Sequence, residues 1–334
     1  MSSKPILVCG AGSIGRRHIE NLKLLGADVS VWRSRPAYAS DLSAEFEIPV
    51  FTDIDVALSQ CRAVVVATST DQHMPIALKA AAKGLDIYLE KPISHSIDGI
   101  SDLIGLSKNV VVEIGCQLRA HPTLNVLSRL IAKRKQNGEN LLSYRFCMGQ
   151  RLDAWRPGVN YQNGYSADTT RGGGALFDLI HQVDLAQWII GPMHSVTAEL
   201  SSYSNMNIRA DDLANMLITH KDGLIGHIQV DMLSPVLRCD LEIITTARIY
   251  RWDLKSGQLS EETPKGNSIV DQVEDGFERN TMFKTIMQHY LCRIEDHNLE
   301  PLCSLEDGVA ALNVVLAARE SSKRGQRMTI KGMS

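Results

Sequence analysis

Three groups of residues in this chain have the types and spacing for one kind of chemistry. The first is Gly10-Ala11-Gly12-Ser13-Ile14-Gly15, a G-x-G-x-x-G run entered directly from the apolar Ile6–Cys9 stretch. Gly10 permits a tight turn, Gly12 lets a pyrophosphate approach the backbone, and Gly15 lets the next helix pack against the strand. Ser13 and Ile14 open that helix, whose unpaired N–H groups and dipole attract phosphate. The second is Tyr88-Leu89-Glu90-Lys91-Pro92. It closes a predicted parallel strand, and ligands of open α/β sheets bind beyond such ends. Pro92 restricts the backbone of Lys91. The third runs from Gly172-Gly173-Gly174 through Asp178 and His181 to Asp184. Histidine titrates where a hydroxyl proton must be exchanged, and a carboxylate three residues away on a helix can orient it. A dinucleotide, a lysine and an oriented histidine together describe hydride transfer at an alcohol or carbonyl carbon.

A fourth signal concerns which dinucleotide. NAD-binding folds carry a carboxylate after the second strand, ~20 residues on, that holds the ribose 2′-OH. Here that place reads Trp32-Arg33-Ser34-Arg35, with two guanidinium groups and a hydroxyl. Arginine binds phosphate bidentately, so the expected cofactor is NADP ahead of NAD. For the other partner, Trp155 and Tyr161 offer stacking faces. Arg119 and Arg156 offer donors to hydroxyls, carboxylate or phosphate. Equally, Trp155 can be a core anchor with Arg156 as its covering stem.

The elements that must position these groups follow from periodicity. Short apolar runs at Ile6–Cys9, Asp28–Trp32, Ala63–Ala67, Ile87–Leu89 and Val110–Ile114 alternate with helical stretches at Ser13–Leu25, Asp41–Phe46, His73–Ala82 and Ile97–Leu106. That rhythm predicts a parallel, doubly wound sheet. After His121 the pattern changes. A basic helix at Leu124–Lys135 leads to longer strands at Leu141–Gln150, Val196–Tyr203, Leu213–Thr219, Leu224–Met232 and Leu237–Thr245. Short turns such as Lys221-Asp222-Gly223 predict an antiparallel sheet in an α+β domain. Helices at Phe277–Glu295 and Leu305–Ser322 complete the reading. The expected domains are 1–121 and 122–334, with the last helix free to return to the first. Along Gly172–Gly191, Leu176, Leu179, Ile180, Val183, Ala186 and Ile190 form one apolar face. Asp178, His181, Gln182 and Asp184 gather opposite, which taken alone reads as a solvated face.

Composition narrows the class. The chain has 334 residues, 44% hydrophobic and 22% charged, with a formal net charge of −3. These values suit a globular protein and argue against a broad nucleic-acid or membrane patch. No apolar run reaches the ~20 residues that span a bilayer. Met1-Ser2-Ser3-Lys4 leads straight into a strand, so no signal peptide is expected. Seven cysteines lack C-x-x-C spacing. They predict reduced thiols in the cytoplasm. The histidines show no metal-ligand spacing, so no metal is expected.

These motifs together resemble the glucose-fructose oxidoreductase / inositol dehydrogenase / MocA family of NAD(P)-dependent oxidoreductases. Matching residues include Gly10–Gly15 with His18, Ala67-Thr68-Ser69-Thr70-Asp71-Gln72-His73, Glu90-Lys91-Pro92 and Gln117-Leu118-Arg119-Ala120-His121-Pro122. The Gly172–Gly191 stretch and Ser304-Leu305-Glu306-Asp307-Gly308 complete the match. The resemblance implies an N-terminal Rossmann fold and a C-terminal open-faced antiparallel β-sheet domain. It implies that Lys91 binds the substrate hydroxyl near the nicotinamide and that His181 is the acid/base. Thr68, Ser69, His73 and Glu90 join Gly10, Gly12, Ser13, Ile14, Gly15, Arg33, Ser34 and Arg35 as cofactor residues, with a helix-capping or structural place as the alternative for His73. Many members have an aspartate four residues before the histidine, where this chain has Phe177. The third catalytic residue is therefore Asp178, with Asp184 as the alternative. The Gly149–Tyr161 segment, with Tyr165-Ser166-Ala167, is similar to a subgroup of bacterial surface-sugar pathways.

The expected activity is thus hydride transfer between nicotinamide and a sugar, with Lys91, Arg119, Trp155, Arg156, Tyr161, Asp178 and His181 around the substrate. Two other readings use the same fold: a non-catalytic dinucleotide-dependent sensor and an NAD-dependent glycosidase. Lys91 and His181 argue against a pure binder. The open sheet face is expected to be apolar and to be covered by further copies, as a homodimer or homotetramer.

Overall fold

The structure, a computed structural model, describes residues 4–35, 37, 39–155, 158, 160–203 and 205–332. The chain divides into two units. One runs to Gln117 and takes in Glu278–Gly308; the other comprises Leu118–Phe277 and the chain from Val309 onward.

In the first unit, strands and helices alternate. They are β1 (Ile6–Cys9), α1 (Ser13–Leu24), β2 (Val29–Trp32), α2 (Ala39–Phe46), β3 (Val50–Phe51), α3 (Ile54–Ser59), β4 (Ala63–Val66), α4 (His73–Ala82), β5 (Asp86–Leu89), α5 (Ile100–Leu106) and β6 (Val112–Ile114). The strands pair in parallel in the order β3-β2-β1-β4-β5-β6. β1 and β4 are buried along their whole length, as strands covered on both faces must be. The order reverses between them, and there the carboxyl ends open a crevice for a ligand. The expected doubly wound sheet is present. β3 and α3 add to it, being too short to leave a periodic signal.

The second unit contains α6 (Pro122–Gln136), β7 (Leu141–Gly149), α7 (Ala175–Asp178), α8 (His181–Ile189), β8 (Met193–Ser201), β9 (Leu213–His220), β10 (Ile225–Asp231), β11 (Arg238–Thr245), β12 (Ile249–Asp253), β13 (Gln258–Thr263) and β14 (Gly266–Gln272). The chain then forms α9 (Arg279–Glu295), α10 (Leu305–Arg324) and β15 (Met328–Thr329). The second sheet runs β14-β13-β12-β11-β7-β10-β9-β8-β15. It is antiparallel except that β7 pairs with β10 in parallel. β7 sits in the middle of the sheet, far in sequence from both neighbours, so no short turn sets its direction against either. One face buries Tyr144, Phe146, Ile228, Leu241, Ile243 and Trp252. α7 lies against β9 and β10, and α8 against β7 and β10.

The other face is not the apolar surface expected. Across the strands the register places Thr197, Leu217, His227, Arg145, Glu242 and Arg251 in one row. Arg251 is paired with Glu242 and Glu262. Leu217 and Ile225 are exposed on the same strands. Alternation along each strand puts polar residues outward on that face.

The segment that rejoins the first unit is Glu278–Gly308, built on α9. Its attachments are specific. Arg293 Nη1 donates to Glu113 at 2.9 Å and to the Val112 carbonyl at 3.0 Å, and Tyr290 donates to the Val64 carbonyl at 3.3 Å. Burial pushes the Glu113 carboxyl up from its ordinary value, and Arg293 and the Cys303 N–H oppose that rise. Met282, Phe283, Ile286, Met287 and Tyr290 of α9 are buried, and Leu291 is half-buried. No helix among the described residues is long and apolar enough to cross a membrane.

Candidate functional site

The glycine turn is built from two backbone demands. Gly10 has φ +104°, and a Cβ there would lie 2.7 Å from the Ala67 carbonyl oxygen. Gly15 leaves no room either: its Cβ would lie 2.1 Å from Gly10 O. β1, the turn, β4 and α1 are therefore held together by the lack of two side chains. Gly12 differs, since nothing lies within 4 Å of where its Cβ would be. It is the N-cap of α1 and supplies no side-chain cap, and Gly12 and Ser13 are exposed, with Ile14 half-buried. The first-turn N–H groups are thus available to an anion. Next to this turn, at the carboxyl end of β4, Thr68 Oγ1 is buried without a hydrogen-bond partner among the described residues. Open backbone donors beside an orphaned hydroxyl fit a bound dinucleotide. Arg33, Ser34 and Arg35 follow β2 at the same sheet edge; Arg33 is half-buried and the other two are exposed. Ser69 is half-buried beside Thr68.

The Lys91 loop lies at the carboxyl end of β5, and the Lys91–Pro92 bond is cis. Lys91 is half-buried. Its neighbours are held from below. Glu90, assigned above to the cofactor, is buried, and its Oε1 lies 2.7 Å from His18 Nε2. His73, also assigned to the cofactor, is buried under the loop. Its Nδ1 lies 2.8 Å from the Pro92 carbonyl and its Nε2 3.2 Å from the Thr68 carbonyl. Burial lowers the His73 pKa from its ordinary value, with the two carbonyls opposing the change. Both groups face protein atoms, so their places are beneath the loop. His18, which follows the glycine run, is the partner that holds Glu90. G-x-G-x-x-G-x-x-H with E-K-P was the signal that could have paired it with Glu90.

The histidine segment departs from the expected single helix. α7 ends at Asp178 and α8 begins at His181, with Leu179 and Ile180 between them. The helical i, i+3 relation predicted for Asp178 and His181 therefore does not apply. Nor is there a solvated face: Asp178, His181, Gln182 and Asp184 are as buried as Leu176 and Val183. Gly174, at φ +113°, opens α7, and a Cβ there would lie 2.3 Å from Asp211 Oδ1. That close approach lets Asp211 accept the Leu176 N–H at 2.8 Å through Oδ2 and the Ala175 N–H at 2.8 Å through its carbonyl. Burial, with the negative charges of Asp178 and Asp212, pushes Asp211 up to about 6. The sequence reading missed Asp211, because no local pattern ties residue 211 to residue 174.

Arg119 and Asp184 find each other. Arg119 Nη2 donates to Asp184 Oδ1 at 2.7 Å and Nε to Oδ2 at 3.1 Å, and both side chains are buried. Arg119 also stands over the Trp188 ring, 5.7 Å from its centroid. Asp184, the alternative catalytic carboxylate, is thus a partner of Arg119, and Arg119, read as a substrate donor, is a partner of Asp184. Trp155 is half-buried and its indole N–H donates to the Gln150 carbonyl at 2.9 Å, while Tyr161 is half-buried at the start of a 3-10 turn. Arg156 lies outside the described residues.

Comparison with known proteins gives a consistent answer. Residues 4–114 match a family model described as an oxidoreductase family with an NAD-binding Rossmann fold, and residues 143–251 match the GFO/IDH/MocA C-terminal domain. UDP-N-acetylglucosamine 3-dehydrogenase of Acidithiobacillus ferrooxidans is 28% identical over 36% of this chain and 39% of its own length. Glucose-6-phosphate 3-dehydrogenase of Bacillus subtilis is 23% identical over 68% of this chain and 65% of its own. Both matches span less than two thirds of the relative. The crystal structure of GenD2 from gentamicin A biosynthesis, in complex with NAD, superposes with a TM-score of 0.84 at 25% identity, covering 99% of this chain and 97% of that one.

Proposed function

Because the chain belongs to the GFO/IDH/MocA family of oxidoreductases, whose N-terminal domain is an NAD-binding Rossmann fold, we propose that it transfers hydride between a nicotinamide dinucleotide and a hydroxyl or carbonyl of a sugar derivative. The observation that carries this is at one sheet edge: the open α1 N-terminus after Gly12, the orphaned Thr68 hydroxyl and Lys91 all follow the carboxyl ends of parallel strands. When bound, the nicotinamide supplies or accepts the hydride. Gly10, Gly12, Ser13, Ile14 and Gly15 hold its phosphates, and Thr68 and Ser69 line its path. Arg33, Ser34 and Arg35 favour NADP over NAD, since no carboxylate stands there to take a ribose 2′-OH. Lys91 holds the reacting oxygen and His181 exchanges its proton. Asp178 is the carboxylate that serves His181, because Asp184 is already committed to Arg119. Trp155 and Tyr161 contact the sugar ring. Relatives named as dehydrogenases of a sugar nucleotide and a sugar phosphate support the substrate class. The protein acts in the cytoplasm as a homodimer or homotetramer.

Absorbance at 340 nm with NADPH or NADH and a panel of free, phosphorylated and nucleotide-linked sugars tests this. Lys91→Ala and His181→Ala should each lower turnover by about 10²-fold or more while circular dichroism stays unchanged. Near-normal turnover in both variants would refute the mechanism. Arg33→Ala should weaken NADPH binding and leave NADH binding intact; equal effects on the two would remove the NADP assignment. Light scattering that shows a monomer would remove the oligomer.

A further inference from the structure

Lys91 is flanked by two residues that are each held by a buried histidine, and the histidines come from different helices. Before it, the Glu90 carboxylate meets Nε2 of His18, in α1, at 2.7 Å. After it, the Pro92 carbonyl meets Nδ1 of His73, the first residue of α4, at 2.8 Å. We infer that His18 and His73 are positioning residues that grip the chain on either side of Lys91 and so aim its ammonium group. The inference rests on the role of Lys91 proposed above and adds the means by which a half-buried, flexible lysine acquires a fixed base.

The geometry assigns each ring its hydrogen. His18 is fully buried, and its Nδ1 has no partner among the described residues. A hydrogen on Nδ1 would be a buried donor without an acceptor, which is costly. The hydrogen belongs on Nε2, donated to Glu90. His73 faces two carbonyls, neither of which can donate. Its ring is neutral near pH 7, because burial lowers its pKa and the neighbouring Lys91 charge adds to that. The one hydrogen goes to the shorter contact, from Nδ1 to Pro92 O. The two grips thus use opposite nitrogens of the two rings.

The packing around the grips leaves little room for drift. The His18 ring meets Tyr88 edge-on at 5.1 Å between centroids. A Cβ on Gly115 would lie 2.9 Å from Glu90 Cδ, and one on Gly308 would lie 2.8 Å from Ile93 Cγ2. A small displacement of Glu90 or Pro92 would therefore be felt at Lys91, and misplacement by about 1 Å can cost catalysis about 10²-fold.

Opposite nitrogens give a crossed test. Glutamine places its amide nitrogen near the Nε2 position of histidine and asparagine near Nδ1. His18→Gln and His73→Asn should therefore preserve the grips, and His18→Asn and His73→Gln should lose them. The readout is the labelling rate of Lys91 by an amine acylating reagent in the full-length protein, quantified by peptide mass spectrometry against Lys79 of α4. The rate should change several-fold in the two losing variants and stay near wild type in the two preserving ones, with Lys79 constant throughout. Asparagine and glutamine behaving alike at either position would overturn the inference. Nitrogen-15 histidine spectra of the unmodified protein serve even where a variant does not fold. They should show His18 with its hydrogen on Nε2 and His73 with its hydrogen on Nδ1, and any other pairing of tautomers overturns the inference. None of these readouts needs a substrate, so their failure is separable from failure of the turnover test with Lys91→Ala.

Discussion

The first unit carries its candidate chemistry on the rim of an apolar sheet, whereas the second carries it inside a packed core. Gly12, Ser13, Arg35 and Lys91 stand at the ends of strands that are themselves apolar and buried. The histidines that support that rim lie beneath it, against backbone or a single carboxylate. Asp178, His181, Gln182 and Asp184 instead belong to a segment buried on every side, packed between apolar neighbours. A polar group on a rim can be solvated and can wait for a ligand. A polar group in a core must be satisfied by the protein itself or it costs stability. Apart from His181 and the Asp178 that serves it, changes to the second region should therefore fall chiefly on folding, and changes to the first chiefly on binding.

The sharpest way to break that contrast is the Arg119–Asp184 pair. Asp184→Ala leaves a buried guanidinium without its carboxylate and should destabilise by about 3–5 kcal/mol in urea denaturation. The double change Arg119→Met with Asp184→Leu removes both charges and should recover most of that loss. A cost below about 1 kcal/mol for the single change would fit a surface pair better than a buried one, and the contrast would fail.

His121 offers a second probe of the packed core. Burial lowers its pKa from 6.5 to about 4. Its ring stands edge-on to Trp252 at 5.1 Å and to Phe277 at 5.2 Å. The Trp252 N–H donates to Thr123 Oγ1 at 2.7 Å, and that hydroxyl lies 3.1 Å from His121 Nδ1. The unfolded chain takes up a proton near pH 6.5 and the folded chain only near 4. The stability held by the neutral ring is therefore complete above about pH 6.5 and is lost as pH falls toward 4. His121→Phe keeps the packing and removes the titration, so the acid loss over that window should shrink by about 3 kcal/mol. His73 and His220, also lowered by burial, keep some acid sensitivity in the variant. An unchanged acid limb would show that His121 is solvated.

The same contrast explains what the sequence could reveal. The rim was legible because its signals are local. A four-residue apolar strand, a glycine turn and a helix start lie within about twenty residues of each other in a Rossmann unit. Lys91 was legible because E-K-P follows such a strand. The core was legible only as a list of residue types. His181 and Asp178 were legible as polar residues of one segment, but their burial was not, and the helix break at Leu179 and Ile180 had no marker, since neither residue is glycine or proline. The partners Arg119 and Asp184 are separated by 65 residues, His18 and Glu90 by 72, and Gly174 and Asp211 by 37. No periodicity connects such positions. β14 is exposed along most of its length, so it shows no inward and outward alternation, whereas β12 alternates, with Tyr250 and Trp252 buried.

On the rim, Gly15→Ala tests the other half of the contrast. The new methyl would meet backbone, the Gly10 carbonyl at 2.1 Å, and backbone cannot swing aside. Overpacking of this kind costs about 1–3 kcal/mol. Because the strain falls on the turn itself, nucleotide binding should suffer more than stability. Fluorescence titration with NADPH should show a loss of at least tenfold in affinity, equivalent to about 1.4 kcal/mol or more. Equal losses in thermal stability and in affinity would mean that the rim and the core are one energetic unit.

The smallest effect expected is at the start of α10. Ser304 N donates to Asp307 Oδ2 and Asp307 N donates to Ser304 Oγ, both at 3.1 Å, which closes a reciprocal cap on the first turn. The next residue, Gly308, is where a Cβ would press on Ile93 of the Lys91 loop. Ser304→Ala removes one cap bond and should cost about 1 kcal/mol of stability. If support of the rim is shared among many small contacts, Lys91 labelling should stay at the wild-type rate in this variant. If instead the α10 cap sets the loop, the rate should move as far as in His73→Gln. The two outcomes separate a loop gripped by its histidines from one merely propped by the helix that follows.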